Sequence, residues 1–211
     1  IEDPEMAKLP PMELLQEKAK HTDTNKLIID EEASTVYLDD PEMRLDVGAI
    51  AKGYATERLA RMLEEKKVSG ILLSVGGNVR AIGAREEVQR EWNVGIQNPD
   101  RESDEQYLLI TRFMDKSLVS SGDYERYYTV DGKEYHHIID PKTLMPAEYF
   151  TAVSILCKDS GMADALSTAI FTMPLEEGRQ LIESLDDTEA LWVQKNGELV
   201  YSSGFESYIK K

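Results

Sequence analysis

The stretch Tyr135–Thr168 constrains the chain more than any other. It reads YHHIIDPKTLMPAEYFTAVSILCKDSGMADALST and holds two of the three histidines, His136 and His137, and the only cysteine, Cys157. An apolar pair, Ile138-Ile139, runs into a polar turn at Asp140-Pro141-Lys142-Thr143. A strand-like run then meets a helix start carrying Asp164 and Thr168, four positions apart and so on one helix face. Such a pair suits a hard cation, since Mg²⁺ takes oxygen ligands and is often held by one or two carboxylates plus substrate phosphates. On spacing alone the simpler description is favoured: an acid near the helix dipole and a packed hydroxyl.

The flanking segments alternate between strand and helix signals. Pro11–Ala19 reads as a short helix with Pro in its first turn. Lys26–Asp30 and Thr35–Leu38 form a hairpin. From Gly48 to Lys66 the apolar positions Ala51, Ala55, Leu59 and Leu63 recur every four residues, which predicts a helix. Asp46 and Gly48 sit at its start, where free N–H groups face anions, or where an Asp cap simply meets a packing glycine. Gly70–Val75 is a buried-type strand ending in Gly76-Gly77-Asn78, which reads equally as a β-bulge or as the floor of a ligand site.

Strands follow at Trp92–Gln97, Tyr107–Thr111 and Lys116–Ser120, with a charged loop at Glu86–Glu91. Val130-Asp131-Gly132-Lys133 is a hairpin turn. The strand after it delivers His136 and His137 to opposite faces, which argues against a histidine pair as a metal site. Phe150–Leu156 is a strand, Asp159 or Ser160 caps a helix to Met173, and Pro174 opens another over Leu175–Leu185. A closing hairpin at Glu189–Val193 and Glu198–Tyr201 turns at Asn196-Gly197, a type I′ signal. Antiparallel hairpins mixed with a few helices define an α+β class.

Composition narrows the function. The 211 residues make one large domain or two small ones, with 40 acidic against 24 basic side chains and a net charge of −16. That balance argues against nucleic-acid binding, which needs a basic footprint. A single nucleotide bridged by a divalent cation stays open. One cysteine rules out an internal disulfide. No apolar run approaches membrane-spanning length, and no signal peptide is visible. The chain begins at Ile1 rather than Met, as a processed or trimmed product would.

Six ordered motifs, LDVGAIAKGYATERL, ILLSVGGNVRAIG, WNVGIQNP, SLVSSGDYERYY, YHHIIDPKTLMPA and TAVSILCKDSGMADALSTAIFTM, resemble the FAD:protein FMN transferase (ApbE) family from about Pro11 to Gly204. The resemblance implies an ApbE-like, T-fold-related architecture of mainly antiparallel sheets with packed helices. Residues 1–211 would be the C-terminal major part of a single domain, lacking a further N-terminal segment. It implies Mg²⁺-dependent transfer of FMN from FAD to a Thr or Ser hydroxyl of a target flavoprotein, with AMP released. Alternatives are hydrolysis of FAD to FMN and AMP, and flavin binding without catalysis. It also implies an extracytoplasmic location, with membrane association through a lipid anchor outside this chain.

Position by position, the resemblance puts FAD contacts at Asp46, Lys52, Gly76, Gly77, Asn78 and Ile139. It puts magnesium on the Ala49 carbonyl and the side chains of Asp164 and Thr168. Ala49 stands where the family motif has a second glycine, a mild departure because a carbonyl ligand does not depend on the side chain. His137 leads the H-I-I-D-P motif and is the candidate general base, the other reading being that it only orients the strand or a phosphate. His136 is expected to be structural.

Overall fold

The computed structural model describes residues 7–85 and 90–211. The lead-in expected at 1–10 lies outside the described residues as far as residue 6, and the charged loop expected at 86–91 does so at 86–89. The helices are α1 (Met12–Ala19), α2 (Ala51–Glu65), α3 (Ser160–Phe171) and α4 (Leu175–Glu183). The strands of the first half are β1 (Leu27–Asp30), β2 (Thr35–Leu38), β3 (Ile71–Val75), β4 (Asn78–Ile82), β5 (Trp92–Gln97) and β6 (Tyr107–Phe113). Those of the second half are β7 (Ser117–Gly122), β8 (Tyr127–Val130), β9 (Lys133–His136), β10 (Ile139–Asp140), β11 (Met145–Pro146), β12 (Phe150–Cys157), β13 (Glu189–Gln194) and β14 (Leu199–Tyr201). The result is the α+β class expected.

A six-stranded antiparallel sheet of order β14-β13-β12-β7-β4-β3 forms the centre. β12 is paired on both edges and buried on both faces, which explains its nearly unbroken apolar run. Its alternation feeds two cores. Val153, Ile155 and Cys157 pack with Ile170, Phe171, Ile182 and Trp192 under α3 and α4. Ala152 and Leu156 face the other way, onto Val94, Ile96, Phe113 and Phe205. The β5–β6 hairpin therefore covers one side of the sheet and the helices the other. Burial pushes the Cys157 thiol up to about 12, so it behaves as an inert core side chain.

Outside this core, α1 is tied to the β1–β2 hairpin by Asp40. Its carboxylate takes Lys26 Nζ at 3.0 Å, the Glu42 N–H at 3.0 Å and His21 Nδ1 at 3.1 Å. The Lys26 hydrogen bond, foremost among these, holds Asp40 well below the usual carboxylate range.

Three local expectations change. Gly76 and Gly77 are not a bulge: both have positive φ, and Val75 pairs with Asn78, so they form a two-residue type I′ turn between β3 and β4. Asn196-Gly197 is not a type I′ pair: Gly197 alone is left-handed, its N–H donating to the Gln194 carbonyl while Gln194 N–H donates to Glu198. That is a three-residue loop in which glycine takes the bulge position. Helix α2 begins at Ala51, not Gly48: the turn before it closes from the Ile50 and Ala51 N–H groups onto the Val47 carbonyl, and the Gly48 N–H is held by Asp46 Oδ1 at 2.6 Å. Gly48 is thus part of a side-chain-closed turn before the helix and does not offer its N–H to an anion.

Candidate functional site

Helices α2 and α3 cross against each other with almost no space between them. At Gly53 an added Cβ would stand 2.2 Å from the Ser160 carbonyl oxygen and 2.6 Å from Asp164 Cβ, so only glycine fits. This approach brings the Asp164 carboxylate, 3 % exposed, onto the Gly53 N–H at 2.8 Å through Oδ2. A buried carboxylate needs such a partner. The consequence falls on Ala49. In a regular helix the Gly53 N–H closes onto the carbonyl four residues back. With that donor taken by Asp164, no backbone N–H among the described residues closes onto the Ala49 carbonyl.

Thr168 lies one turn beyond Asp164 on the same face. Its hydroxyl makes only long contacts, 3.5 Å to the Asp164 carbonyl and 3.4 Å to Ser121 Oγ. Lys52 Nζ stands 3.7 Å from Asp164 Oδ1, beyond direct hydrogen bonding. The Lys52 stem passes over the Gly76 turn, where a Cβ would come within 3.2 Å of it. Three hard oxygens thus lie along this crossing: one charged, one hydroxyl and one free carbonyl. Their chemistry fits a magnesium-type cation. Among the described residues, no group of three or more His, Cys, Asp or Glu is gathered anywhere.

These residues line a pocket of about 1060 Å³, at the upper end of the ~300–1,000 Å³ usual for small-molecule sites. Asp46, Ala49, Lys52, Gly76, Gly77, His137, Ile139, Asp164 and Thr168 all reach its wall. Asn78 does not. It sits behind the turn, 2 % exposed, with its amide nitrogen unpartnered. Strand alternation sends the next residue, Val79, to the pocket instead.

The two histidines separate as alternation requires. His136 is buried and uses both ring nitrogens: Nε2 donates to the Ala147 carbonyl at 2.9 Å, and Nδ1 accepts the Ile138 N–H at 3.3 Å. Burial, above all, lowers its pKa. His137 is exposed, and its Nδ1 bonds the Arg126 carbonyl at 3.1 Å. A carbonyl only accepts, so Nδ1 carries the proton and Nε2 of the neutral ring keeps its lone pair.

The pocket also recruits two tyrosines that were not among the expected site residues. A bulge in β6 at Leu108 re-aims Tyr107, whose ring lies against Gly95; a Cβ there would be 2.3 Å away. Tyr124 lies over Gly122 in the same manner, with a Cβ distance of 2.4 Å. Burial raises the Tyr124 hydroxyl to about 12. Both line the pocket, with Tyr107 about half exposed. The available signal was a glycine inside an otherwise regular strand pattern, at Gly95 and at Gly122.

Fold and site together define an α+β protein whose pocket is built where two crossing helices meet a glycine turn and a histidine-bearing loop. The chain belongs to the ApbE family, whose profile matches residues 1–192. It is 35% identical over 184 residues to a FAD:protein FMN transferase of Klebsiella pneumoniae (strain 342), covering 86% of this chain and 55% of that protein. It is 36% identical over 184 residues to one from Treponema pallidum (strain Nichols), covering 83% and 51%. The chain spans about half the length of the curated relatives it matches. Among solved structures, the ApbE protein of Thermotoga maritima superposes with a TM-score of 0.86 at 31% identity, covering 99% of this chain and 67% of that one. The flavin transferase ApbE of Vibrio cholerae gives 0.80 at 28% identity, with 95% and 63% covered.

Proposed function

We propose that this chain carries the catalytic pocket of a FAD:protein FMN transferase that moves FMN from FAD to a Thr or Ser hydroxyl of an acceptor flavoprotein and releases AMP. The observation that carries the reading is the free Ala49 carbonyl in the same pocket as Asp164, Thr168 and an exposed histidine whose Nε2 keeps its lone pair. The names of its relatives support it.

In this reading Ala49, Asp164 and Thr168 hold Mg²⁺, which when bound neutralises phosphate charge and stabilises charge developing on the leaving group. The chain's own groups do the rest. Lys52 adds positive charge beside the pyrophosphate. Asp46, Gly76, Gly77 and Ile139 contact FAD, and Asn78 supports the turn from behind. Tyr107 offers a flat face for a planar ring. The acceptor hydroxyl oxygen bonds to the flavin-side phosphorus, the anhydride bond to the AMP phosphate breaks, and the hydroxyl proton passes to His137 Nε2. Each piece aligns reactants more than it alters bonding, as loose phosphoryl transfer requires. We place the reaction outside the cytoplasm, the chain's membrane association resting on a lipid anchor beyond it; cell fractionation tests this.

Incubation of the complete protein with FAD, Mg²⁺ and a threonine-bearing acceptor peptide tests the proposal. A fluorescent FMN–peptide with stoichiometric AMP is expected. Intact, tightly held FAD would overturn it in favour of a binding domain. Free FMN with AMP and no labelled peptide would shift the reading to a hydrolase. The solvent exposure of His137 favours that second reading, since water reaches the same base.

A further inference from the structure

The α2–α3 contact is a ladder with a step of four residues. On α2 and the turn before it the stripe is Ala49, Gly53, Glu57; on α3 it is Ser160, Asp164, Thr168, running the opposite way. Two rungs are made by hydrogen bonds. Glu57 Oε2 accepts the Ser160 N–H at 3.0 Å, and Asp164 Oδ2 accepts the Gly53 N–H at 2.8 Å. Continuing the same step of four gives Ala49 and Thr168 as the third pair; both line the pocket, and the proposed cation binds there.

Glu57 is therefore the far end of the ladder, and it is unusually well held. It is 6 % exposed. Arg80 of β4, fully buried, places Nε 3.3 Å from Oε2 and spends its other nitrogens on Glu64 Oε1 and the Ala81 carbonyl. Arg61 donates to Glu57 Oε1 at 3.0 Å and reaches Asp159 Oδ2 at 2.6 Å. Asp159 in turn caps α3 through the Met162 N–H at 2.9 Å. A carboxylate at a helix N-terminus is favoured by the dipole, and two guanidiniums fix it there. The axial position of α3 against α2 is thus set from the sheet, by Arg80 through Glu57.

We infer that Glu57, clamped by Arg80, is a positioning residue for the cation site: it fixes the register that lets Asp164 take the Gly53 N–H and so leaves the Ala49 carbonyl free. The inference rests on the proposed cation site. Removing an outer partner of this kind weakens metal binding by ~10–100-fold.

The test is Mn²⁺ binding to the full chain with FAD present, read by electron paramagnetic resonance. The unaltered protein is compared with Glu57→Ala, Glu57→Gln and Ile182→Ala. The last is a core variant on α4 that loses stability without touching α2. Expected are affinities at least ~10-fold weaker for Glu57→Ala, intermediate for Glu57→Gln, and within ~2-fold of the unaltered protein for Ile182→Ala. Exchange of the Gly53 amide, followed by NMR without metal, should quicken in Glu57→Ala and stay slow in Ile182→Ala. Equal weakening in Glu57→Ala and Ile182→Ala, or full affinity in Glu57→Ala, overturns the inference while leaving the site standing. Absence of saturable Mn²⁺ binding in the unaltered protein, or unchanged binding in Asp164→Ala, overturns the site and the inference together.

Discussion

The α2–α3 wall of the pocket holds its carboxylate buried and hydrogen-bonded, whereas the wall bearing His137 leaves its key atom to solvent. Asp164 is 3 % exposed and committed to Gly53, with no freedom to re-aim. His137 is tethered at one ring nitrogen only and is otherwise exposed. The difference teaches where preorganisation is needed. The proposed cation site needs fixed distances among several oxygens, and a close-packed helix crossing supplies them. The proposed base for an incoming hydroxyl needs access, and a loop end beside a short strand supplies that.

Damage to the rigid wall should be the most severe. Asp164→Asn keeps the shape and can still accept the Gly53 N–H, but it removes the charge. FMN transfer is expected to fall by ~10³-fold or more, about 4 kcal/mol of transition-state stabilisation. Steady-state AMP release measures it, and turnover within ~10-fold of the unaltered protein would refute the site. Gly53→Ala should be next. Its Cβ meets backbone at 2.2 Å, which no side-chain rotation relieves. A stability loss of ~3 kcal/mol is expected by chemical denaturation, together with loss of metal binding.

The exposed wall should yield a cleaner but smaller loss. His137→Gln should reduce transfer by ~10²-fold, toward the lower end of what general bases contribute, with the unfolding midpoint unchanged. A drop in stability instead would reassign His137 to strand orientation. Tyr107→Ala should weaken FAD affinity by ~10-fold, the worth of one stacked ring, with Tyr107→Phe close to normal. Fluorescence titration in the presence of EDTA separates this from any metal effect.

How much of this was legible in the sequence depended on whether a signal was local. The β1–β2 and β8–β9 hairpins, the α3 cap at Asp159 and the two faces of the histidine pair follow from spacing and turn chemistry within a few residues. The Asp164–Thr168 pair was visible as a helix face, but spacing alone favoured an ordinary acid near a helix start. Its meaning lies in Gly53, 111 positions away, and no periodicity encodes that contact. The same holds for the free Ala49 carbonyl, which exists because a distant carboxylate captures a helix donor. Tyr107 was hidden by a bulge, since one extra residue reverses which face a strand position meets. Gly76-Gly77 misled in a different way: paired glycines serve a turn or a bulge equally well until the partner strand is known.

The smallest expected effect sharpens the contrast between the neighbouring histidines. Burial depresses the His136 pKa below its ordinary value of 6.5, and the Ala147 carbonyl on Nε2 only partly opposes this. The folded state therefore prefers neutral His136, and the unfolded chain binds more protons below pH 6.5. Stability from this residue is complete above about pH 6.5 and is lost as pH falls toward the depressed folded value. Asp123 and Lys195 act on the same ring from opposite directions, the acid raising its pKa and the lysine lowering it. Denaturation midpoints at pH 5 to 7.5 should rise with pH in the unaltered protein, and the slope should flatten in His136→Asn. His137→Gln should leave that slope in place. If His137→Gln flattened the stability profile and His136→Asn did not, the two roles would have to be exchanged.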